Sequence, residues 1–225
     1  DIVLMHSVGI RPVVVHGGAP QIGGMLDRLG MKSQFVDGLR VTDSDTLDIA
    51  RMVLVGKVNR DIVSSINIHG PLAVGISGED AGLITAKSHS KELGFVGEVQ
   101  DVNPSLIEGL LKEGHIPVIS SIGADGNGQS YNINADTVAS SLATALKAKR
   151  IIYLTDIEGL RADMENPESH ISKITTSNLK EMIESGTISG GMIPKAKACL
   201  EAIDAGVGSA HMIDGRVPHV ILLEL

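Results

Sequence analysis

The sequence predicts an α/β protein, with a mainly parallel sheet between two layers of helices. Three observations lead to this class. The 225 residues suffice for one large α/β domain or two small ones. Apolar runs of strand length alternate with segments of helical periodicity, as in successive βαβ units. Hydrophobic residues make up 43% of the chain and aromatic residues only 2%, so the core is aliphatic.

In the first half of the sequence, the elements follow from the spacing of apolar residues. A valine run predicts a strand over 12–16, and a helix follows over 20–29. Apolar residues at helical spacing predict a long helix over 43–66, with Thr42 as its N-cap. The other predictions for this half are a helix end over 1–8, a strand over 72–77, irregular structure with strand-like pieces over 83–99, a helix over 105–113 and a strand over 116–121.

The second half continues the alternation. Its predicted elements are an Ala-rich helix over 134–147, a strand over 150–155, helices over 177–185 and 192–205 and a strand over 209–213. The last segment, "VILLEL", is either a strand cut short or a chain stop. We expect an N-terminal lobe of residues 1–130 and a C-terminal lobe of residues 131–225, built on one continuous sheet. Ligands of such sheets bind beyond the carboxyl ends of the strands, which directs attention to the loops there.

Composition excludes several classes of partner and site. The net charge of −8 argues against nucleic acid, and no apolar run approaches the length of a membrane span. A single cysteine, Cys199, excludes a disulfide framework, and the eight histidines show no metal-binding spacing, so we predict no metal site built by the protein. Without a signal-like N-terminus, we expect a cytoplasmic protein, or an organelle-matrix protein after removal of a transit peptide.

Two glycine-rich stretches are candidate anion sites. In "HGGAP", Gly17, Gly18 and Ala19 join a strand to a helix, so backbone N–H groups and a helix dipole can face a phosphate. The structural alternative is a tight βα turn. In "GGMIPKAK", Lys195 lies in a first helical turn, where it opposes the helix dipole unless an anion binds. Its structural alternative is a solvated lysine.

Two polar stretches are candidates for holding a small ligand. "YNINADTVAS" places Asn132, Asn134 and Asp136 at the start of a helix, where they can bind a ligand or merely cap the helix. Arg40, in "DGLRVTD", has the planar fork that binds a carboxylate, although a lone loop arginine is usually solvated. No general base accompanies these groups. Phosphoryl transfer to a carboxylate needs none, because that nucleophile is already ionised.

The order of the motifs identifies a resemblance that covers essentially the whole chain. The sequence resembles the N-acetylglutamate kinases of the amino acid kinase superfamily, in eight motifs: "PVVVHGGAPQI", "DGLRVTD", "MVLVGKVN", "GFVGEV", "YNINADTVA", "LTDIEG", "GGMIPKAKAC" and "IDGRVPH". The resemblance implies the amino acid kinase fold, a three-layer αβα sandwich. It also implies phosphorylation of the side-chain carboxylate of N-acetyl-L-glutamate by ATP with Mg²⁺, in arginine biosynthesis.

The resemblance assigns roles to individual residues. The loop Gly17-Gly18-Ala19 would contact the acyl amino acid and the transferred phosphoryl group. Arg40 and Asn132 would hold the α-carboxylate and acetamido groups, with Asn134 beside them. Lys195 would stabilise the transition state, and Asp136 would organise the lysines. The nucleotide would lie over the C-terminal lobe, near these residues: Asp156, Ile157, Gly159, Leu160, Arg161, Thr187, Ile188 and Ser189.

Two departures from the family pattern accompany this resemblance. The family loop usually has three glycines, and the third position here is Ala19. The family also begins with a strand carrying Lys-x-Gly-Gly, whose lysine is a second transition-state cation. This sequence starts after that strand, and we expect the strand to be missing from this chain. If the protein truly lacked it, the resemblance predicts very little turnover.

The resemblance leaves regulation and substrate choice open. It implies a homo-oligomer, either a dimer or an arginine-inhibited hexamer, with arginine as a feedback inhibitor and, in some relatives, a PII-type signalling protein as partner. The alternatives are another kinase of the superfamily, acting on aspartate, glutamate, carbamate or UMP, and a ligand-binding regulatory module without catalysis. Arg40 and Asn132 favour an acyl amino acid over a nucleoside monophosphate.

Overall fold

The computed structural model describes the residues 1–36, 38–156, 160, 169, 171–188 and 192–224, with only the backbone of Pro194. They form two compact units. One unit contains residues 2–138, and the other contains residues 139–225 together with Asp1. The α/β class predicted from the sequence is confirmed, since parallel strands alternate with helices in both units.

The first unit contains most of the strands. In chain order they are β1 (Val14–His16), β2 (Phe35–Val36), β3 (Leu39–Arg40), β4 (Ala73–Ser77), β5 (Ile84–Ser88), β6 (Val96–Val102), β7 (Ile116–Ser120), β8 (Ile122–Ala124) and β9 (Ser130–Ile133). Its helices are α1 (Ile2–Ser7), α2 (Ala19–Arg28), α3 (Ser44–Arg51), α4 (Asn59–Asn67), α5 (Ser105–Lys112) and the start of α6 (Ala135–Ala145).

A parallel sheet in the order β1-β7-β4 carries the carboxyl ends at which the site forms. The central strand β7 is buried along its whole length, as its uninterrupted apolar run predicts. Residues at the ends of the three strands are aligned, because Ser120 of β7 pairs with His16 on one side and with Ser77 on the other. The loops that follow these residues therefore leave the sheet at the same edge.

Aliphatic side chains join the helices to this sheet and to one another. Ile66 of α4 packs with Ile116 and Val118 of β7. In a second cluster, Leu26 of α2 packs with Leu54, which lies just beyond α3. Burial of each such side chain contributes about 1.5–3 kcal/mol, which anchors α2 and α4 without aromatic residues.

The long helix predicted over 43–66 is continuous but not uniform. Between α3 and α4 the chain forms a π-helical segment, Met52–Val58, in which the wider turn shifts the facing residues relative to an α-helix. The predicted N-cap, Thr42, is wrong. Asp43 caps α3, since its Oδ1 accepts from the N–H of Thr46 at 2.8 Å. Thr42 is fully buried and donates its hydroxyl to the carbonyl of Arg40 at 2.9 Å.

The segment 83–99, predicted as irregular with strand-like pieces, contributes to a small closed barrel of strands β5, β6, β9 and β8. Its pieces "LITAKS" and "GFVGEV" contribute β5 and the start of β6, which pair antiparallel. Strands as short as β8 and β9 carry too few residues for a clear period of two, so the sequence pattern does not reveal them.

The second unit holds a parallel pair of strands, β10 (Ile151–Thr155) and β11 (Ala210–Asp214). Its helices are the rest of α6, α7 (Thr176–Glu184), α8 (Met192–Asp204) and α9 (Val220–Leu223). The strand predicted as one alternative for "VILLEL" is wrong, because α9 occupies that position. Directly after α9, the Glu224 carboxylate lies 2.7 Å from Nδ1 of His211. None of the helices described is long and apolar enough to cross a membrane.

Candidate functional site

A cavity of about 210 Å³ lies within the first unit, beyond the carboxyl end of β1. It is bordered by the start of α2, the β2–β3 hairpin, the π-helical segment and the junction of β9 with α6. Its lining residues are Gly17, Gly18, Ala19, Ile22, Phe35, Gly38, Leu39, Arg40, Leu54, Val96, Ser121, Asn132, Ile133, Asn134, Ala135 and Asp136. The structure therefore brings together every site residue that the sequence proposes within residues 1–138.

The glycine loop, Gly17-Gly18, runs from β1 into α2. A Cβ on Gly18 would lie 2.8 Å from Leu54 Cδ2 and 3.2 Å from Val58 Cγ2, so the π-helical segment packs directly on the loop. Ala19 opens α2, and Pro20 occupies its first turn without needing a hydrogen-bond acceptor. The cavity wall at this point consists of backbone and the positive end of a helix, which suits an anion.

Arg40 is a cation whose position is fixed by the protein. Only 9% of the residue is exposed, and its guanidinium donates to the carbonyl of Ala19 at 3.0 Å and to the hydroxyl of Ser33. The ring of Phe35 lies 4.7 Å from Cζ of Arg40, within range of a cation–π interaction. Burial lowers the pKa of Arg40, and the nearby Asp27 carboxylate opposes that shift, so the guanidinium stays charged.

The two asparagines before α6, Asn132 and Asn134, differ in their contacts. Asn132 is half-buried, and its Nδ2 donates to the Thr42 hydroxyl at a long 3.5 Å. Asn134 caps α6, because its Oδ1 accepts from the N–H groups of Asp136 at 2.8 Å and Thr137 at 3.2 Å. Asn134 therefore caps the helix, which is one of the two roles that the sequence predicts for it. Its Oδ1 is used by the cap, so its Nδ2 is the atom that could bind a ligand.

The remaining proposed residues belong to the second unit. Lys195 is half-buried in the first turn of α8, and Asp156 is exposed directly after β10. Leu160 and Ile188 are buried in one apolar cluster with Leu179 and Met192, so their side chains serve the core. Thr187 is half-buried, and its hydroxyl lies 2.9 Å from that of Ser185. Ile157, Gly159, Arg161 and Ser189 lie outside the described residues.

Sequence reasoning missed several residues of the cavity wall. Phe35 and Leu54 provide apolar surface, and Ser121 follows the central strand β7. The rule that ligands bind beyond strand ends points to Ser121, since it is the last residue of the strand predicted over 116–121. Nothing in the local pattern distinguishes Leu54 from its apolar neighbours, because its place against the glycine loop depends on the π-helical turn.

The chemistry of the cavity fits a small polar molecule with a carboxylate. It offers one fixed guanidinium, two side-chain amides and the start of α2 within a volume that suits a compact metabolite. Within the described part of the chain, no three histidine, cysteine or acidic side chains cluster where they could hold a metal ion.

Comparison with known proteins agrees with these features. The model of the amino acid kinase family matches residues 1–214. Acetylglutamate kinase of Nostoc sp. is 52% identical over 226 residues, covering 100% of this chain and 76% of its own length. Acetylglutamate kinase of Synechococcus elongatus is 54% identical over 226 residues, covering 100% and 75%. A crystal structure of a Streptococcus mutans UA159 protein has a TM-score of 0.85 and 28% identity, over 95% of this chain and 86% of that one.

Proposed function

The chain belongs to the acetylglutamate kinases of the amino acid kinase family, and we propose that the cavity described above binds their acyl amino acid substrate. The reaction is transfer of the γ-phosphoryl group of ATP to the side-chain carboxylate of N-acetyl-L-glutamate, which gives N-acetyl-L-glutamyl 5-phosphate in arginine biosynthesis. One observation carries the placement of the substrate. The fixed cation Arg40, the amide of Asn132 and the glycine loop line one cavity.

The substrate has two anionic ends, and the cavity offers a complement to each. The fork of Arg40 binds the α-carboxylate, and Asn132 donates to or accepts from the acetamido group. The side-chain carboxylate then lies toward the glycine loop. Because Arg40 is already held by Ala19 and Ser33, little conformational entropy is lost when the carboxylate binds.

The transfer itself requires positioning and neutralisation of charge. One carboxylate oxygen of N-acetylglutamate attacks the γ-phosphorus, the bond to the β,γ-bridging oxygen breaks, and ADP leaves with that electron pair. The N–H groups of the glycine loop stabilise charge on the group in transfer. The family resemblance assigns the same role to the ammonium of Lys195, and it assigns Asp136 to organising the lysines. No proton is removed from the nucleophile, so no general base is needed.

The nucleotide is proposed to bind through the second unit. We place the ribose and base near two polar residues, Asp156 at the carboxyl end of β10 and Thr187. Leu160 and Ile188 are proposed to form part of this surface, and their side chains are buried in the apolar cluster below it. Mg²⁺ is proposed to enter as part of MgATP, where it would neutralise phosphate charge.

Assembly, regulation and location are proposed from the family resemblance. We expect a homo-oligomer, a dimer or an arginine-inhibited hexamer, and in the second case arginine acts as a feedback inhibitor. A PII-type signalling protein is a further proposed partner. The enzyme is proposed to act in the cytoplasm or in an organelle matrix. Sedimentation with and without arginine tests the first two proposals.

An ADP-release assay on the full-length protein tests the function. N-acetylglutamate is expected to give ADP release, and aspartate, carbamate and UMP are expected to give far less. No release with N-acetylglutamate from folded protein would contradict the proposal. Release with another of these acceptors would assign the chain to a different kinase activity of the family. Binding of N-acetylglutamate without ADP release would indicate a regulatory module.

A further inference from the structure

A buried amide lies behind the glycine loop, outside the cavity wall. Asn59, the first residue of α4, has 0% of its surface exposed. Its Nδ2 donates to the carbonyl of Val118 at 2.9 Å and lies 3.1 Å from Nε2 of His16, with the carbonyl of Ile76 further away at 3.4 Å. Its Oδ1 accepts from the guanidinium of Arg60. A polar side chain buried this completely needs such partners, and loss of one leaves an unsatisfied group.

These partners determine the orientation of the Asn59 amide. Arg60 has only donors, so the atom facing it must be the carbonyl oxygen of Asn59. The carbonyl of Val118 accepts, so the atom facing it must be the amide nitrogen. That nitrogen also faces Nε2 of His16, and because it can only donate, Nε2 must accept and carry no proton.

The tautomer of His16 follows from this orientation. With Nε2 unprotonated, the ring proton of neutral His16 is on Nδ1, which lies 2.9 Å from the carbonyl of Gly17 and donates to it. Burial lowers the pKa of His16, while its bond to Gly17 acts in the opposite direction, so the neutral ring prevails at neutral pH. His16 is therefore a fixed hydrogen-bond donor to the loop.

The bond from His16 sets the direction of one peptide group. The carbonyl of Gly17 and the N–H of Gly18 belong to the same trans peptide plane and point to opposite sides. Holding the carbonyl against His16 turns the N–H of Gly18 away from the ring. Among the residues that the structure describes, no acceptor takes this N–H, and Gly18 lines the cavity.

We propose that Asn59 is a positioning residue for phosphoryl transfer: it fixes the Nδ1–H tautomer of His16, and His16 holds the Gly17–Gly18 peptide with its N–H directed at the transferred group. This inference rests on the proposed kinase function. The proposal also explains the motif "MVLVGKVN": its first seven residues form the π-helical segment, and its last residue is Asn59, which begins α4. Gly75 of β4 leaves the necessary room, since a Cβ there would collide with Asn59 Oδ1 and Arg60.

A pair of His16 variants separates the two hydrogen bonds. In His16→Asn, the side-chain amide takes the place of Nδ1 and retains the donor to Gly17. In His16→Gln, the amide reaches the place of Nε2, retains the contact with Asn59 and loses the donor to Gly17. We expect kcat to fall about 10- to 100-fold in His16→Gln, with KM for N-acetylglutamate nearly unchanged, and about threefold or less in His16→Asn. Equal kcat in the two variants, or the reverse order, would overturn the proposal.

The role of Asn59 is tested by the tautomer itself. Two-bond ¹⁵N–¹H correlation spectra of ¹⁵N-histidine-labelled protein distinguish Nδ1–H from Nε2–H rings, and the His16→Asn spectrum identifies the His16 signals. The wild-type protein is expected to show Nδ1–H only. In Asn59→Leu, the His16 signals are expected to shift away from this pure form, and kcat is expected to fall about as far as in His16→Gln.

Asn67 provides a matched control for Asn59. It lies at the other end of α4, where its Nδ2 donates to the Ala73 carbonyl at 3.1 Å and its Oδ1 accepts from the N–H of Ala73 at 2.7 Å. Asn67→Leu is expected to lower the melting temperature but to leave kcat and the His16 signals unchanged. A similar loss of kcat in both variants would reduce Asn59 to a stabilising role and overturn the proposal.

The two hypotheses fail in different ways. If the wild-type protein releases no ADP with N-acetylglutamate, the proposed function fails, and this inference fails with it as a statement about catalysis. If ADP is released but wild-type His16 carries its proton on Nε2, the positioning proposal alone is overturned, because the donor to Gly17 would not exist.

Discussion

Arg40 illustrates how a single residue is prepared for a ligand. Its guanidinium is held by Ala19 and Ser33 and covered by Phe35, so its position does not depend on the substrate. Lysine has neither the planar fork nor the reach to keep these contacts. Arg40→Lys is expected to raise KM for N-acetylglutamate by about 10- to 100-fold, since a hydrogen bond to a charged group contributes about 1.5–3 kcal/mol. Steady-state kinetics measures this.

The control for Arg40 is Arg28, which is exposed in the last turn of the same helix that Arg40 contacts. Arg28→Lys is expected to leave KM and kcat unchanged. If Arg40→Lys lowered kcat and left KM unchanged, Arg40 would act in the transition state rather than in substrate binding.

Lys195 is the residue for which we expect the largest effect on turnover. It occupies the first turn of α8, where a cation is unfavourable by itself and becomes favourable beside a bound anion. Lys195→Ala is expected to lower kcat by about 10²–10³-fold, with a much smaller rise in KM, because its charge is matched to the transferred group. Single-turnover and steady-state rates with saturating MgATP measure it.

Lys197 serves as the comparison for Lys195, since it is exposed two residues further along α8. Lys197→Ala is expected to behave as the wild type. A Lys195→Ala enzyme with normal kcat and a raised KM would assign Lys195 to ground-state binding of the substrate and remove it from the mechanism.

At the scale of elements, the glycine loop and the π-helical segment form one unit of packing. A methyl group on Gly18 would press on Leu54 and Val58, and both belong to a helix held by other buried side chains. Gly18→Ala is therefore expected to cost about 1–3 kcal/mol of unfolding free energy, and to abolish most activity by moving the loop. Urea unfolding and the ADP assay measure the two effects.

Gly24 lies in the middle of α2, and its replacement by alanine is expected to have the opposite effect on stability. A Cβ there would meet nothing within 4 Å, so Gly24→Ala is expected to stabilise the protein by about 0.5–1 kcal/mol and to leave activity unchanged. If Gly18→Ala were as well tolerated as Gly24→Ala, the loop and the π-helical segment would not be packed as described.

At the scale of the whole molecule, buried His16 links stability to pH. Burial lowers its pKa below the usual 6.5, so below about pH 6.5 the unfolded chain binds a proton that the folded protein resists. The stability contributed by neutral His16 is therefore complete above pH 6.5 and is lost as the pH falls. The unfolding free energy of the wild type is expected to decrease more steeply below about pH 6.5 than that of His16→Asn. Parallel slopes would contradict this.

Ligand binding offers a second test on the whole molecule. A compound that binds only the folded protein raises its stability by about 2.7 kcal/mol at a hundred times its Kd. N-acetylglutamate is expected to raise the melting temperature, whereas glutamate at the same concentration is expected to raise it far less, because Asn132 then has no acetamido partner. Equal shifts for the two compounds would remove Asn132 from substrate recognition.

The amino-acid sequence by itself determined the α/β class and predicted the glycine loop, the two asparagines and the arginine that line the cavity. The glycine loop before a helix, the asparagines before α6 and the arginine of "GLRVTD" are local patterns, and local patterns are set by residue type and spacing. The helices over 20–29 and 105–113 were predicted for the same reason, since their periodicity lies within a single segment.

Only the tertiary structure decided which polar residues became buried partners of the site. Thr42 reads as a helix cap, yet it is buried beside Arg40, and Asn59 reads as one polar residue in a long helix, yet it fixes His16. The closure of the barrel, its short strands β8 and β9 and the π-helical turn were likewise not visible in the sequence. His16 and Asn59 are 43 residues apart. Such contacts depend on how separate segments pack, and no pattern within one segment records the burial that packing imposes.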